Sequence, residues 1–150
     1  MAFDELYQEI ILDHYRNPRN ARALPDVPEE NLHENPTCGD AVKLAVELTA
    51  DGRVERVAFE GHGCAMSVAS ASMMTELLSG RTLDQADAVV DTFIKIMQGK
   101  DDPHKLDEMN DLACFSGVIQ YPVRVKCVTL AWHAVKDALE RARRGQPEPA

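Results

Sequence analysis

A single β-hairpin signal, followed only by helical patterns, limits the fold of this chain most strongly. Residues 42–48 alternate apolar and polar side chains, as a half-buried strand requires, and Asp51-Gly52 follows as a turn. Residues 54–59 continue as a second strand that ends at Gly61. Because the rest of the chain is helical in pattern, we predict an α+β fold.

Four helices are predicted from apolar periodicity and from the residues that start and stop helices. Asn17-Pro18 ends the first, because the residue before proline avoids helical geometry. Thr82 and Gln85 form a capping-box pattern at the start of the third. The predicted segments are residues 3–16, Cys64 to Ser79, the stretch from Thr82 to Gly99, and about 122–144, with Val123 and Cys127 facing inward.

Three segments lack helical or strand periodicity. Residues 17–37 contain four prolines and read as an extended loop that wraps the fold. Residues 100–111 are acidic, so we expect them to be either a solvated surface or a docking face for a partner. The tail from residue 145 to residue 150 is expected to fray.

Charge and terminal composition exclude several classes of protein. The chain has 16 Lys and Arg against 25 Asp and Glu, a net charge of −9, which disfavours binding of nucleic acid phosphates. No apolar run approaches the roughly 20 residues of a membrane span. The first residues do not form a secretion signal. We therefore expect a cytoplasmic protein that binds neither nucleic acid nor membrane and keeps its cysteines reduced.

The four cysteines are widely spaced, so the choice between metal ligation and burial depends on their surroundings. Cys38 lies in a loop two residues before Asp40, and Cys64 follows a glycine at the start of a helix. Three thiolates, with Cys127 as the third, and one carboxylate would suit Zn²⁺ or one iron of a cluster. Simple burial in the core is the alternative, and we expect it for Cys114, which has apolar neighbours.

Positive charge surrounds the last of these cysteines. Arg124 and Lys126 stand close to Cys127 in sequence, and we expect their charges to lower the pKa of its thiol. Cys38 lies beside Gly39 on a loop, which favours it as the thiol that moves toward a partner.

Several of these motifs together resemble one known family. Cys38-Gly39-Asp40, Gly63-Cys64-Ala65 with the Ser- and Ala-rich helix behind it, and the late single Cys127 resemble the U-type iron–sulfur cluster assembly proteins, which include NifU N-terminal domains, IscU and SufU. The segment from Tyr15 to Asn20 also looks like the start of that family. The resemblance covers nearly the whole chain, so we expect one domain over residues 1–150.

The resemblance implies a fold and a ligand set. It implies a three-stranded antiparallel sheet packed by about five or six helices, with the third strand a short piece around residues 61–64. It also implies that four side chains converge at one exposed end and bind a metal. These are Cys38, Asp40, Cys64 and Cys127.

Three departures from the IscU scaffolds favour the SufU branch of this family. Lys126 stands where those scaffolds have a histidine, and the stretch Gln120 to Arg124 does not match their Leu-Pro-Pro-Val-Lys segment. Relative to those scaffolds, this chain has an insertion between Cys64 and Cys127 at about residues 99–117. The segment from Arg124 to Trp132 is similar to the corresponding SufU segment.

The SufU branch implies a zinc-dependent sulfurtransferase that accepts persulfide sulfur from a cysteine desulfurase of the SufS type. Cys38 would be the persulfide acceptor, Arg124 a candidate auxiliary residue, and an iron–sulfur scaffold or apo-protein the next acceptor. Such a protein is an accessory factor rather than a stand-alone enzyme. Two alternatives stay open. One is a scaffold that assembles a [2Fe–2S] or [4Fe–4S] cluster on the same ligands, and the other is a structural zinc domain.

Overall fold

Three antiparallel strands and four α-helices account for most of the structure, a computed structural model that describes residues 5–145. The α-helices are α1 (Glu5–Arg16), α2 (Ala65–Leu78), α3 (Leu83–Met97) and α4 (Pro122–Arg143). The strands are β1 (His33–Asn35), β2 (Asp40–Leu48) and β3 (Val54–His62). Short 3-10 helices cover Glu29–Asn31, Pro103–Glu108 and Asn110–Val118. The architecture confirms the predicted α+β class.

The predicted hairpin forms the centre of the sheet. β2 and β3 pair antiparallel with Leu44 opposite Phe59, and Gly52 in the connecting turn has a φ of 85°. The apolar residues of β2 at positions 42, 44 and 46 belong to the main core, where α4 packs on β2 and α2 packs on β3. Ala45 and Ala58 lie on the opposite face in a smaller buried cluster with Leu24 and Val27. The proline-rich segment therefore wraps the outer face of the sheet, as predicted.

The predicted position of the third strand is wrong. The third strand is β1, which pairs with β2 so that Asn35 lies opposite Asp40, whereas residues 61 and 62 are the end of β3. Three residues are too few to show an alternating pattern, and β1 lies inside the stretch that we interpreted as a loop. The sheet order is β1-β2-β3.

The helices follow the predicted boundaries closely, with one error of orientation. Thr82 and Gln85 form both hydrogen bonds of the capping box at the start of α3. Val123, predicted to face inward, is 58% exposed, because residues 122–124 in the first turn of α4 are all exposed and Val125 is the first buried residue. The start of the first predicted helix at residue 3 and the tail beyond residue 145 lie outside the described residues.

The predicted insertion of about residues 99–117, called the acidic insertion below, packs into the core through its apolar side chains. Its carboxylates at positions 102, 107, 108 and 111 are exposed, as predicted. Its apolar side chains, however, join the main hydrophobic cluster. They are Leu106, Leu112, Cys114 and Phe115. Cys114 is fully buried, as predicted, and burial raises the pKa of its thiol to about 12.

Trp132 fixes α4 against two other helices. Its side chain is fully buried, and its ring stacks on Phe93 of α3 with centroids 4.0 Å apart. Its indole N–H donates to Ser70 Oγ of α2 at 2.9 Å. This packing places the second turn of α4 at the end of the sheet. Within residues 5–145, no helix combines the length and the hydrophobicity that crossing a lipid bilayer requires.

Candidate metal centre

Three potential metal ligands from two distant parts of the chain meet at one end of the sheet. One ligand atom each from Cys38, Asp40 and Cys127 lies within 4.8 Å of the other two. The sulfur atoms of Cys38 and Cys127 are 3.1 Å apart. Among residues 5–145 this is the one such group of three or more cysteine, histidine or acidic side chains.

Cys38 is presented by the tight turn between β1 and β2. The carbonyl oxygen of Asn35 accepts hydrogen bonds from the N–H groups of both Cys38, at 3.2 Å, and Gly39, at 2.9 Å. Gly39 adopts a φ of 75°, a left-handed conformation that costs glycine little. The turn leaves the Cys38 thiol half-buried at the surface end of the group, so it can be reached from outside.

Asp40 is a buried carboxylate with one oxygen left over. Its exposed fraction is only 1%, because it begins β2 beneath the turn. Oδ1 accepts a hydrogen bond from the N–H of Cys64 at 3.0 Å. Oδ2 is buried and has no hydrogen-bond partner among the described residues. A buried carboxylate oxygen without a partner is costly, and a bound cation would satisfy it.

Gly63 allows this arrangement by lacking a side chain. A Cβ at position 63 would lie 2.3 Å from Oδ1 of Asp40, well inside contact distance. The close approach lets the backbone of residues 63 and 64 reach the carboxylate. The glycine before Cys64 therefore positions Asp40.

Cys64 joins the site through its backbone. It is the N-cap residue of α2, with its thiol half-buried, and its N–H binds Asp40. Its sulfur is not a member of the three-atom group, although Cys64 is among the neighbours that raise the pKa of the Cys127 thiol. The structure thus brings together the side-chain ligand atoms of three predicted ligands and the backbone of the fourth.

Cys127 is held deep in the site by the second turn of α4. Its exposed fraction is 2%. Burial, followed by the neighbouring Cys38, Cys64 and Asp40, raises the pKa of its thiol in the absence of a metal. The expectation of a lowered pKa is therefore wrong. Arg124 and Lys126 are exposed, so water screens their charges while Cys127 is desolvated.

The candidate auxiliary residue stands outside the group. Arg124 lies in the exposed first turn of α4, and its side chain makes no ion pair with another described residue. The Val123 carbonyl oxygen is 3.9 Å from the Cys127 sulfur, so this exposed turn forms one edge of the site. The structure thus puts Arg124 near the site and assigns it no contact in it.

The chemistry of these groups fits a thiophilic divalent cation. Two sulfurs and one unpartnered carboxylate oxygen provide three donors of the types that Zn²⁺ accepts, and a third sulfur would complete a tetrahedron. The Cys64 sulfur, which the resemblance implies as a ligand, lies outside the three-atom group. The same donors could bind one iron of a cluster. Sequence reasoning missed Asn35, whose side-chain nitrogen lies 4.0 Å from the Cys127 sulfur, because an asparagine before proline reads as a turn residue.

The fold and this group of residues agree with the result of comparison with known proteins. A family model described as the NifU-like N terminal domain matches residues 6–128. The chain belongs to that family.

Individual relatives are similar over almost the whole chain. The zinc-dependent sulfurtransferase SufU of Bacillus subtilis (strain 168) is 40% identical over 142 residues, covering 95% of each protein. The iron–sulfur cluster assembly scaffold protein IscU of Streptococcus pyogenes serotype M1 is 38% identical, covering 95% of this chain and 88% of that protein. A crystal structure of a putative iron–sulfur cluster assembly scaffold protein for the SUF system from Fervidobacterium islandicum AW-1 superimposes with a TM-score of 0.70 and 30% identity. It covers 87% of this chain and 94% of the other.

Proposed function

We propose that this protein serves iron–sulfur cluster assembly as a zinc-dependent acceptor of sulfur from the persulfide of a cysteine desulfurase. The observation that carries the proposal is the convergence of two sulfurs with a carboxylate oxygen of Asp40, whose Oδ2 is buried without a partner among the described residues. The similarity to a relative named as a zinc-dependent sulfurtransferase supports the same chemistry. In this proposal Asp40, Cys64 and Cys127 hold Zn²⁺ together with Cys38.

Each residue of the centre has a distinct role in the proposed transfer. When bound, zinc supplies the positive charge that keeps the coordinating sulfurs as thiolates. Cys127 is buried in α4 and Asp40 is buried under the turn, so both stay in place. Cys38 lies on a turn at the surface end and is the thiolate that can be reached by a partner.

The transfer is a thiolate exchange at the outer sulfur of the partner's persulfide. The Cys38 thiolate attacks that sulfur, a new sulfur–sulfur bond forms on Cys38, and the old one in the desulfurase breaks. The desulfurase cysteine leaves as a thiolate. The outer sulfur keeps its oxidation state, so no oxidant or reductant is consumed.

The partners follow from this chemistry. The desulfurase, of the SufS type, supplies the persulfide, and a scaffold or apo-protein receives the sulfur. The protein then acts as an accessory sulfurtransferase whose turnover depends on both. A cytosolic location, where thiols remain reduced, belongs to the same proposal.

The decisive experiment is mass spectrometry of the zinc-loaded protein after incubation with the desulfurase and cysteine. We expect one added sulfur, mapped to Cys38. Cys38→Ala is expected to accept no sulfur and to keep measurable zinc, because three other donors remain. Cys114→Ala is the matched control, since Cys114 is fully buried away from the site, and it should accept sulfur normally.

Two results would reject the proposal. Stoichiometric sulfur on the Cys38→Ala protein would show that another thiol is the acceptor. A zinc-loaded wild-type protein that accepts no sulfur would favour a structural zinc domain.

A scaffold function is the second candidate, favoured by the similarity to a relative named as an IscU scaffold and by donors that also suit iron. In that case the cluster is the cargo, and the residues of the centre hold it until an apo-protein takes it. Anaerobic treatment with iron and sulfide would give a brown protein that activates an apo-acceptor. A protein that stays colourless, holds one zinc and stimulates desulfurase turnover would favour sulfur transfer instead.

A further inference from the structure

Asn35 touches the candidate metal centre through both its backbone and its side chain. It ends β1 opposite Asp40 and is 8% exposed. Its carbonyl oxygen holds the turn that carries Cys38. Its side-chain amide extends in another direction, with Nδ2 4.0 Å from the sulfur of Cys127.

The amide and the sulfur form a buried pair in which a donor faces an acceptor. A side-chain amide carries two N–H donors, and a thiolate sulfur accepts hydrogen bonds when it holds negative charge. Both groups are more than nine-tenths buried, so water contributes little to solvating either one. An N–H directed at a buried thiolate stabilises its charged form, and this is the form that coordinates metal.

The two sulfurs of the site have different surroundings. The Asn35 amide lies beside the Cys127 sulfur, whereas the Cys38 sulfur has no side-chain amide within hydrogen-bond distance among residues 5–145. The Asn35 amide therefore acts on the Cys127 sulfur.

We propose that Asn35 is a positioning residue whose side-chain amide donates to the Cys127 thiolate and holds that sulfur on the metal. This proposal rests on the proposed function, because it concerns the ligand that must stay in place when Cys38 departs. Outer residues that hydrogen-bond to metal ligands commonly change metal affinity by about 10- to 100-fold when they are replaced. The amide of Asn35 acts on a ligand in the same way.

Substitution of the side chain can separate this role from the support of the turn. The hydrogen bonds to Cys38 and Gly39 use the backbone carbonyl, which every residue has. Asn35→Leu keeps the number and branching of the side-chain heavy atoms without an N–H donor, and Asn35→Ala removes the side chain beyond Cβ. Asn20→Ala is the matched control, because its amide donates to Thr75 Oγ1 at 2.9 Å near the C-terminal end of α2, whereas Cys64 is at the N-terminal end of that helix.

The first test is zinc affinity measured by competition with a chelator, with circular dichroism to check folding. We expect about 10-fold weaker binding for both Asn35 variants and no more than a twofold change for Asn20→Ala. In the cobalt-substituted protein, the sulfur-to-cobalt charge-transfer band should weaken in the Asn35 variants only. Unchanged affinity and spectrum in folded Asn35 variants would overturn the proposal, and so would an equal loss in Asn20→Ala.

The second test uses the wild-type protein and does not depend on how the variants fold. With cadmium-113 in the centre, a hydrogen bond from the amide to a coordinated sulfur transmits a scalar coupling from the metal to the amide proton. We expect such a coupling at a side-chain proton of Asn35. A cadmium-loaded protein whose Asn35 amide protons show neither coupling nor a shift on metal binding would overturn the proposal.

These outcomes are separable from failure of the proposed function. A wild-type protein that binds zinc with Asn35 support but accepts no sulfur leaves the positioning role intact and rejects sulfur transfer. A wild-type protein that accepts sulfur on Cys38 while the Asn35 variants bind zinc normally rejects the positioning role alone.

Discussion

The sulfur atoms of Cys38 and Cys127 lie 3.1 Å apart although 89 positions separate the two residues in sequence. The pair forms because the turn after β1 and the second turn of α4 reach the same end of the sheet. One sulfur is half-buried and the other is almost completely buried. The contact therefore joins a reachable thiol to a protected one.

This contact predicts which disulfide forms when the metal is removed. Treatment of the chelated protein with oxidised glutathione should link Cys38 to Cys127, with two glutathione thiols released for each disulfide. Both sulfurs need to approach each other only slightly to reach bonding distance. Peptide mapping after alkylation checks this outcome.

Cys114 is the internal control for that experiment. Its thiol is fully buried with a pKa raised to about 12, so it should remain unmodified in the native protein and react after unfolding. A dominant link between Cys38 and Cys64 would contradict the observed pairing.

Asp40 should contribute to metal retention by direct ligation through Oδ2 and not only by holding the local backbone in place. Asp40→Asn keeps an oxygen that can accept the hydrogen bond from the Cys64 N–H, and Asp40→Ala removes it. We expect both variants to lose zinc to a chelator more readily than the wild type, because both lack the anionic oxygen that has no other partner. Equal zinc affinity in Asp40→Asn and the wild type would remove the carboxylate from the ligand set.

Gly63→Ala should damage the centre more than it damages the fold. The new Cβ would meet Oδ1 of Asp40 at 2.3 Å, so the carboxylate must move. Gly80→Ala is the matched control, because it also places alanine at a positive φ, 86°, but meets nothing within 4 Å. We expect the free energy of unfolding of both variants to fall by roughly 1 kcal/mol, which urea unfolding measures. Only Gly63→Ala is expected to lose zinc affinity. Parallel zinc affinities in the two variants would contradict this role of Gly63.

Glu47 should make part of the stability depend on acid pH. Hydrogen bonds and charge from Arg56, and then Arg22, hold the pKa of Glu47 below its ordinary value of 4.5. A lowered folded-state pKa gives stability that is present above the unfolded-state pKa and is lost as pH falls through the folded-state value. Glu47→Gln should therefore be less stable than the wild type at neutral pH, and this difference should shrink below pH 4.5.

Urea unfolding between about pH 3 and pH 7 measures this difference directly. Glu108→Gln is a suitable control, because Glu108 is exposed and has no ion pair with a described residue. A difference between Glu47→Gln and the wild type that stays constant over the whole range would contradict the assignment.

The elements that sequence predicted well are those with strong local signals. Alternation in β2, the turn at Gly52 and the capping box at Thr82 each depend on neighbouring residues, and all three are present. β1 could not be predicted from local sequence, because its three residues have no strand pattern and are held in a strand by pairing with β2. The burial of Leu106 was missed for a similar reason, since acidic residues dominate the composition of residues 100–111.

The candidate site shows the same division. The motif around Cys38 and Asp40 could be recognised from sequence, and their closeness to Cys127 could be expected only through the resemblance to a family. The electrostatics could not be predicted, because the exposed charge of Lys126 is adjacent in sequence while burial governs the Cys127 thiol. The contact of Asn35 with Cys127 could not be predicted either, because 92 positions separate the two residues in sequence.

The buried side chains of the segment between α3 and α4 limit how this protein can be shortened. Leu106, Leu112 and Phe115 are buried in the main core, so deleting the acidic insertion would leave a cavity in the interior. An engineer who exchanges this segment between relatives must carry its apolar anchors along with its charged surface. Between those anchors, Asp107 and Glu108 are exposed and make no ion pair with another described residue, so they are the charged positions that tolerate exchange.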